Sequence, residues 1–307
     1  MVFDFLTLDD VETTGKTVFL RVDINSPLDP VSKRILNDSR IKATLDTIND
    51  LGDARVVVGA HQSRPGKYDF TSLELHARVL QMYLNNRVRF VDDTMGEKAQ
   101  RAIQELRPGE VLVLDNLRMI DEENMQGPPE EVADTEMVKT LSPYFDITAN
   151  DAFAAAHRSQ PSLVGFGEVM PMVAGRLMER ELDAIERVVE DPDRPCVFIL
   201  GGVKVEDKIP VIRRVLRDGI ADRVLIGGLV RETFHLAQGR NPGKLEMLSD
   251  SERALVEEAR ELLGEYGDSI VMPVDVALDV KGARVEIQVD SLTDERTYDI
   301  GLNTLAL

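Results

Sequence analysis

The stretch Arg55-Val-Val-Val-Gly-Ala60 is followed directly by His61-Gln-Ser-Arg-Pro-Gly66. An apolar run of strand length, rich in β-branched residues, is typical of a strand buried in a sheet. The turn that follows it is basic and polar, and ligands of open parallel sheets bind just beyond the carboxyl ends of the strands. We therefore expect residues 55–60 to form a strand of an α/β fold and residues 61–66 to belong to a binding site.

The same alternation of apolar runs and amphipathic segments continues on both sides of this stretch, and it predicts βαβ units that build a parallel sheet. In the first half, strands are predicted at residues 18–24, 55–60, 87–91, 111–115 and 145–148. Helices are predicted at residues 40–50, 71–84 and 97–106. Thr71 and Glu74 have the spacing of a capping box, which indicates a helix start.

A long helical pattern at residues 177–190 separates this half from a second series of units. There we predict strands at residues 196–200, 223–226 and 269–276, and helices at residues 207–218, 231–238 and 251–266. Residues 284–289 alternate between apolar and polar, which suits a small antiparallel hairpin outside the parallel sheet. The predicted fold is two Rossmann-like, doubly wound α/β domains (1–170 and 194–307), joined by a hinge helix within 171–193.

The composition fits this organisation and restricts the partners. A chain of 307 residues with 43% hydrophobic content can bury two cores. Its net charge of −19 disfavours nucleic acids and anionic membranes as partners, because both would be repelled. Cys196 lies in an apolar run and is expected to be a small core residue. Neither a signal peptide nor a transmembrane run is visible, so we expect a soluble cytoplasmic protein.

Basic side chains follow several of the predicted strands. Arg64, Arg118 and Arg158 could converge on one small polyanion, because a guanidinium matches carboxylate and phosphate oxygens with two parallel hydrogen bonds. His61 and His157 could add further donors. For any one of these arginines a surface ion pair is the simpler alternative, but the repetition at equivalent positions favours a shared site.

Two further features are open to more than one interpretation. Asp23 and Asn25 would project to the same side of a strand and could both bind a hydroxyl-bearing ligand, or Asp23 could pair with a nearby arginine. Gly201-Gly202-Val-Lys204 follows a strand and opens a helix that also carries Lys208, an arrangement that could hold a phosphate or be a simple turn. Neither the P-loop pattern nor Gly-x-Gly-x-x-Gly is present.

At this point the motifs resemble a known family, phosphoglycerate kinase, in the form found in its archaeal branch. Five ordered motifs carry the resemblance: 21–28 (RVDINSPL), 39–41 (SRI), 61–66 (HQSRPG), 114–118 (LDNLR) and 150–158 (NDAFAAAHR). The resemblance implies that 3-phosphoglycerate is bound by Asp23, Asn25, His61, Arg64, Arg118 and Arg158. It also implies that Arg40 contacts both this substrate and the phosphoryl group in flight.

In the second half, the resemblance assigns Gly201, Lys204 and Lys208 to the nucleotide phosphates and the transferring phosphoryl group. Gly227 and Gly228 resemble the glycines under the adenine ring. The implied catalytic residues are Arg40, Lys204 and Lys208. The implied reaction, a step of glycolysis and gluconeogenesis, is reversible phosphoryl transfer between 1,3-bisphosphoglycerate and ADP, giving 3-phosphoglycerate and ATP with Mg²⁺. The helix at residues 177–190 would act as the hinge.

The chain departs from the family pattern at its end, after Leu307. In the family about a further quarter follows, including an Asn-Gly-Pro segment and a Gly-rich loop whose aspartate binds the metal nucleotide. We therefore expect an incomplete second domain with an exposed sheet edge and uncovered apolar surface. Two interpretations stay open: a phosphoglycerate kinase whose chain is shortened, or a catalytically impaired homologue that binds phosphoglycerate without phosphoryl transfer. A dehydrogenase is disfavoured by the missing dinucleotide fingerprint.

Overall fold

The structure is a computed structural model that describes residues 4–240, 249–291 and 297–300. The chain divides into two compact units, Met1–Ile185 (unit 1) and Glu186–Leu307 (unit 2). The division falls inside the helix Arg176–Glu190, within the segment predicted as the hinge. The predicted domain limits and the hinge role of this helix stay predictions.

Unit 1 contains a six-stranded sheet in which every neighbouring pair is parallel. Its order is β3-β4-β2-β1-β5-β6. The strands are β1 Thr17–Arg21, β2 Arg55–Gly59, β3 Val88–Phe90, β4 Val111–Val113, β5 Ile147–Asn150 and β6 Met172–Ala174. The predicted α/β class is confirmed. Strand β6 was not predicted from the sequence.

The helices of unit 1 begin with two short ones where a single helix was predicted at residues 40–50. The predicted helix is interrupted at Thr44, whose hydroxyl donates to the carbonyl of Ile41 over 2.8 Å. The α-helices are α1 Ser39–Ala43, α2 Leu45–Asp50, α3 Glu74–Tyr83, α4 Glu97–Gln104, α5 Pro129–Ala133, α6 Glu136–Leu141, α7 Pro161–Val164 and α8 Arg176–Glu190. Six 3₁₀ turns are described in this unit: Leu8–Asp10, Leu117–Met119, Asp121–Asn124, Ser142–Tyr144, Phe153–Ala155 and Gly165–Glu168.

The predicted capping box at the start of α3 is wrong. This helix begins at Glu74, so that Leu73 and not Thr71 stands at the N-cap. The backbone N–H of Leu73 donates to Asp115 Oδ1 over 2.9 Å. The carboxylate after β4 therefore anchors the segment that leads into α3, which ties the two strand-end loops together.

Two hydrophobic clusters cover the faces of the six-stranded sheet. Because side chains alternate along a strand, Val56 and Val58 belong to one cluster and Val57 belongs to the other. Helix residues complete both layers: Ile41 and Ile48 with Leu80 on the first face, and Ala99 and Ile103 with Leu141 on the second. Both faces of the sheet are therefore buried, as a doubly wound sheet requires. The loops that follow the strands lie beyond the strand ends, outside these two layers.

Unit 2 is built on a smaller parallel sheet of order β7-β8-β9 and a separate antiparallel sheet of order β11-β10-β12. The strands are β7 Val197–Leu200, β8 Arg223–Ile226, β9 Ile270–Val271, β10 Asp275–Val280, β11 Ala283–Gln288 and β12 Thr297–Ile300. The described helices are α9 Val205–Arg217, α10 Gly228–Ala237 and α11 Asp250–Tyr266, with 3₁₀ turns at Gly267–Ser269 and Val289–Ser291. Residues of α9, α10 and α11 pack on β8 in one core.

Three predictions for unit 2 can be compared with this arrangement. The predicted hairpin is confirmed, since β10 and β11 pair antiparallel. The single strand predicted at residues 269–276 is wrong: Pro273, which lacks a backbone donor, lies between β9 and β10, and these strands belong to different sheets. Cys196 precedes β7 and is only partly buried, so it is not the core residue that the sequence predicted.

Strand β7 stands at one end of the described three-stranded order and exposes apolar side chains. Val197 is 43% and Ile199 is 77% exposed. Uncovered apolar surface was expected in this unit, and these two side chains provide it. Within the described ranges, none of the helices is both long and apolar enough to cross a membrane.

Candidate active site

A cavity of about 500 Å³ lies in unit 1 beyond the carboxyl ends of β1, β2, β4 and β5. Its walls are formed by the loops that follow these strands and by α1. The lining residues are Arg21, Asp23, Asn25, Arg40, His61, Ser63, Arg64, Lys67, Asp69, Arg118, Ala154, Ala155 and Arg158. The structure thus brings together all seven residues that the family resemblance implies for 3-phosphoglycerate binding, Arg40 included. Their role in binding phosphoglycerate stays a prediction.

The cavity is strongly basic although the chain as a whole is acidic. Six of its lining side chains are Arg or Lys and only two are Asp. Burial lowers the pKa of Arg118, and the nearby guanidinium groups of Arg158 and Arg64 lower it further. These three cations therefore repel one another in the free protein, and a bound anion would relieve that repulsion.

Arg118 is held in place by the loops of two neighbouring strands. Its Nη1 donates to the carbonyl oxygen of Ser63, while the side-chain oxygen of Asn116 accepts from the Arg118 backbone N–H over 3.2 Å. The Asn116 amide also donates to the carbonyl of Gln62 over 2.8 Å. Ser63 has a φ of 56°, which is unusual for a residue with a side chain. These contacts fix the loops after β2 and β4 as one unit.

Asp23 and Asn25 lie beyond the end of β1, so the expectation that they share one side of a strand is wrong. Both nevertheless line the cavity. Arg40 donates to Asp23 Oδ2 in an ion pair, which realises the alternative that Asp23 pairs with an arginine. Asn25 Oδ1 accepts from the backbone N–H of Ser63 over 3.0 Å. The partner of Asp23 is thus the residue that the family resemblance implies for catalysis, held at the cavity wall.

His61 belongs to a buried layer under this wall. Its Nε2 lies 2.7 Å from Glu123 Oε1, and its Nδ1 lies 3.0 Å from Arg21 Nη2. Burial and then the charge of Arg21 move the pKa of His61 far below its usual range, so the ring is neutral. Burial also lowers the pKa of Arg21 to about 10, which leaves this side chain protonated near neutral pH. Burial raises the pKa of the Glu123 carboxyl, whereas the charge of Arg21 lowers it.

Several residues of the cavity and of the buried layer were not among the predicted site residues. Arg21 was quoted in a motif but given no role, and its position at the end of β1 was an available signal. Lys67 also lines the cavity. It directly follows residues 61–66, the turn that was predicted to belong to a binding site, so its position was an available signal. Glu123 had no signal, since it lies in an acidic run that resembles a surface segment. His157 is exposed, and its Nε2 accepts from Arg158 Nε over 3.3 Å.

In unit 2, four glycines bring two strand-end loops into close contact. Gly201 and Gly202 follow β7, and Gly227 and Gly228 follow β8. A Cβ on Gly228 would lie 2.5 Å from the backbone nitrogen of Gly202, and the φ of Gly228 is 55°. The Leu229 N–H donates to the carbonyl of Gly202 over 3.0 Å. Only glycine fits at position 228, so these loops are built for backbone-to-backbone contact.

The predicted lysines lie beside these loops. Lys204 stands at the N-cap of α9 and is exposed, and Lys208 is in the first turns of that helix. A second cavity, of about 300 Å³, begins at Val203 and Leu229, the residues directly after Gly202 and Gly228. It is also lined by Val205, Glu206, Glu232, Thr233, Leu236, Glu252, Leu255 and Val256. The structure places the five predicted nucleotide residues around neighbouring strand ends, and their function stays a prediction.

The phosphoglycerate kinase family model matches residues 8–307. Phosphoglycerate kinase of Methanothermobacter thermautotrophicus is 47% identical, over 99% of this chain and 75% of that protein. The enzyme of Methanococcus maripaludis is 49% identical, over 99% of this chain and 76% of that protein.

Solved structures show the same relationship. The crystal structure of phosphoglycerate kinase from Pyrococcus horikoshii OT3 matches with a TM-score of 0.84 and 43% identity, over 98% of this chain and 76% of that one. The structure of the Coxiella burnetii enzyme matches with a TM-score of 0.76 and 29% identity. The chain spans about three quarters of the length of these relatives. A family match across nearly all residues and identities of this size establish that the chain belongs to the phosphoglycerate kinase family, the ATP-binding phosphotransferases of glycolysis.

Proposed function

We propose that the basic cavity of unit 1 binds 3-phosphoglycerate and 1,3-bisphosphoglycerate. The observation that carries this proposal is the convergence of Arg64, Arg118 and Arg158 on one cavity in a chain whose net charge is −19. Clustered guanidinium groups that repel one another destabilise the free protein, and a dianionic phosphate compensates for that cost.

Arg40 is the residue that we assign to the phosphoryl group in transfer. Its side chain is about half exposed at the cavity and is oriented by Asp23. Phosphoryl transfer needs little covalent chemistry from the protein, because positioning and neutralisation of charge supply most of the rate. A half-exposed guanidinium that is held by Asp23 suits this role, since it could contact oxygens whose charge changes in the transition state.

For unit 2 we propose that the loops after β7 and β8 bind ADP and ATP. The four glycines leave room for a ligand to approach the backbone, and the N-terminus of α9 supplies free N–H groups for phosphate oxygens. Lys204 and Lys208 add positive charge at the same end of that helix. The partly apolar 300 Å³ cavity beside Val203 and Leu229 is our candidate site for the nucleotide base.

Mg²⁺ is proposed as a companion of the nucleotide. Among the described residues there is no cluster of three or more His, Cys, Asp or Glu side chains that could hold a metal ion. That finding suits Mg²⁺, which is commonly bound through substrate phosphates and only one or two carboxylates. When bound, the ion would neutralise phosphate charge. We also propose that the enzyme works in the cytoplasm, where glycolytic intermediates are found.

The test of this function is ATP formation from 1,3-bisphosphoglycerate and ADP by the 307-residue chain, followed with a coupled hexokinase assay. We expect turnover in the ordinary enzyme range of about 1 to 10³ s⁻¹. Arg40→Met should reduce it by about 10² to 10³, as for loss of one transition-state donor. Arg78→Met is the matched control, because Arg78 lies on the surface of α3 and pairs with Glu74. A folded chain without turnover that still binds 3-phosphoglycerate would instead support the impaired homologue.

A further inference from the structure

The carboxylate of Glu123 is fully buried beneath the basic cavity and is contacted by three polar groups of two residues. One oxygen, Oε1, lies 2.7 Å from His61 Nε2, and the other, Oε2, accepts from the backbone N–H of Ser162 over 3.0 Å. The Ser162 hydroxyl also donates to Oε1. A buried carboxyl group without partners is costly, and these contacts satisfy both oxygens of Glu123.

This arrangement determines the state of the histidine. Burial raises the pKa of the Glu123 carboxyl, but the charge of Arg21 and the two Ser162 donors favour its ionised form. In that form it only accepts hydrogen bonds, which places the proton of the neutral His61 ring on Nε2. The other nitrogen, Nδ1, is then an acceptor, and it lies 3.0 Å from Arg21 Nη2. Arg21 uses its remaining nitrogens on Ser162 Oγ, at 2.8 Å from Nε, and on the carbonyl of Val22. Two of the three Arg21 nitrogens, Nε and Nη2, therefore have partners that in turn contact Glu123.

We propose that Glu123 is a positioning residue for the phosphoglycerate site, which fixes the Nε2–H tautomer of His61 and thereby holds Arg21 and His61 in place at the wall of the cavity. This inference rests on the proposed function of the cavity, because both Arg21 and His61 line its wall. The Glu123 and Arg21 charges cancel within the buried layer. Attraction of the anion is consequently left to the arginines above it, while the layer itself supplies rigidity.

An isosteric amide cannot replace this carboxylate. Glu123 accepts on both oxygens, from His61 Nε2–H and from Ser162 N–H, whereas a glutamine offers one acceptor and one donor. In Glu123→Gln, therefore, the amide NH₂ group must face either His61 Nε2–H or the Ser162 N–H, and two hydrogen-bond donors then point at each other. If His61 changes to the Nδ1–H tautomer to accept from this amide, its Nδ1–H then faces the N–H of Arg21 Nη2. These two donors repel each other, and Arg21 is displaced from its position.

The first measurement uses the unaltered chain. Long-range ¹H–¹⁵N spectra of its four histidines distinguish the two neutral tautomers and the charged ring, and His61→Gln identifies the signal. We expect His61 to be the neutral Nε2–H form at pH 7. Detection of the Nδ1–H form or of an imidazolium would overturn the proposal.

The second measurement is calorimetric titration with 3-phosphoglycerate, together with the kinetic constants. Glu123→Gln should weaken binding and raise KM by about 10- to 100-fold, the range seen when outer partners of a ligand shell are lost. It should leave kcat almost unchanged, which a general loss of folded protein would not do. Glu122→Gln is the matched control and should behave as the parent, since the neighbouring Glu122 carboxylate accepts from the Met137 N–H over 3.4 Å and does not line the cavity.

Ser162→Ala is measured alongside, so that the proposal stays testable if Glu123→Gln does not fold. It removes the acceptor of Arg21 Nε and the hydroxyl donor to Glu123 Oε1, but it keeps the backbone donor to Glu123 Oε2. We expect a smaller loss of affinity with the tautomer retained. Parent-like affinity in both variants would refute the positioning role. Failure of the unaltered chain to bind 3-phosphoglycerate would refute the proposed function instead, while the tautomer result would stand.

Discussion

Replacing Arg118 by methionine should separate binding from stability. Arg118 is 6% exposed, and its Nε is buried without a hydrogen-bond partner among the described residues. Burial and the charges of Arg158 and Arg64 lower its pKa, which shows that its charge is unfavourable in the free protein. Methionine keeps the volume of the stem and removes the charge. Arg118→Met should therefore lose ligand affinity without a comparable loss of fold.

The size of the effect follows from these contacts. Loss of one hydrogen bond between charged groups costs about 1.5 to 3 kcal/mol, which raises the Kd for 3-phosphoglycerate by about 10- to 150-fold. For folding, the variant loses the bond from Nη1 to the Ser63 carbonyl but also ends the repulsion by Arg158 and Arg64. We expect these changes to offset each other, leaving the free energy of unfolding within about 1 kcal/mol of the parent.

The assay is calorimetric titration with 3-phosphoglycerate at low and high salt, with urea unfolding followed by circular dichroism. Arg78→Met, whose side chain is 73% exposed, should match the parent in both experiments. The loss of affinity in Arg118→Met should shrink at high salt, since part of it is electrostatic. Undiminished binding would exclude Arg118 from the site. Unfolding of Arg118→Met would show instead that its bond to Ser63 serves the fold.

Three further predictions follow from individual side chains. Arg64→Ala should abolish measurable phosphoglycerate binding in the same titration, and undiminished binding would remove Arg64 from the site. Gly228→Ala should destabilise unit 2 by at least about 1 to 3 kcal/mol, because its Cβ would lie 2.5 Å from Gly202 N; parent-like urea unfolding would contradict this. Burial lowers the pKa of His76 to about 4, so below pH 6.5 only the unfolded chain takes up that proton. Stability should then fall by about 1.4 kcal/mol per pH unit between pH 6.5 and 4 on account of this residue, and His76→Gln should remove that slope from urea unfolding.

Much of the fold and of the cavity could be predicted because the signals are local. The run at residues 55–60 is both apolar and β-branched, and its strand and basic turn appear where the sequence indicated them. Arg64, Arg118 and Arg158 meet because parallel strands end at the same edge, which is a rule of topology and needs no distance information.

What could not be predicted depends on contacts between distant residues. His61 and Glu123 are 62 positions apart, and nothing in the run Asp121-Glu-Glu-Asn124 distinguishes a buried carboxylate from exposed ones. The same holds for the start of α3, where no local cap is used. Instead, the Asp115 carboxylate in the loop after β4 accepts from the backbone N–H of Leu73. Tertiary hydrogen bonds therefore decided the details that local patterns missed.

The most direct test of the account is a crystal structure of this chain with 3-phosphoglycerate. We expect the ligand in the cavity of unit 1, with phosphate oxygens at hydrogen-bond distance from the guanidinium groups of Arg64, Arg118 and Arg158. Its hydroxyl should contact Asp23 or Asn25. A ligand bound elsewhere on the chain, with this cavity empty at saturating concentration, would contradict the assignment of the substrate site.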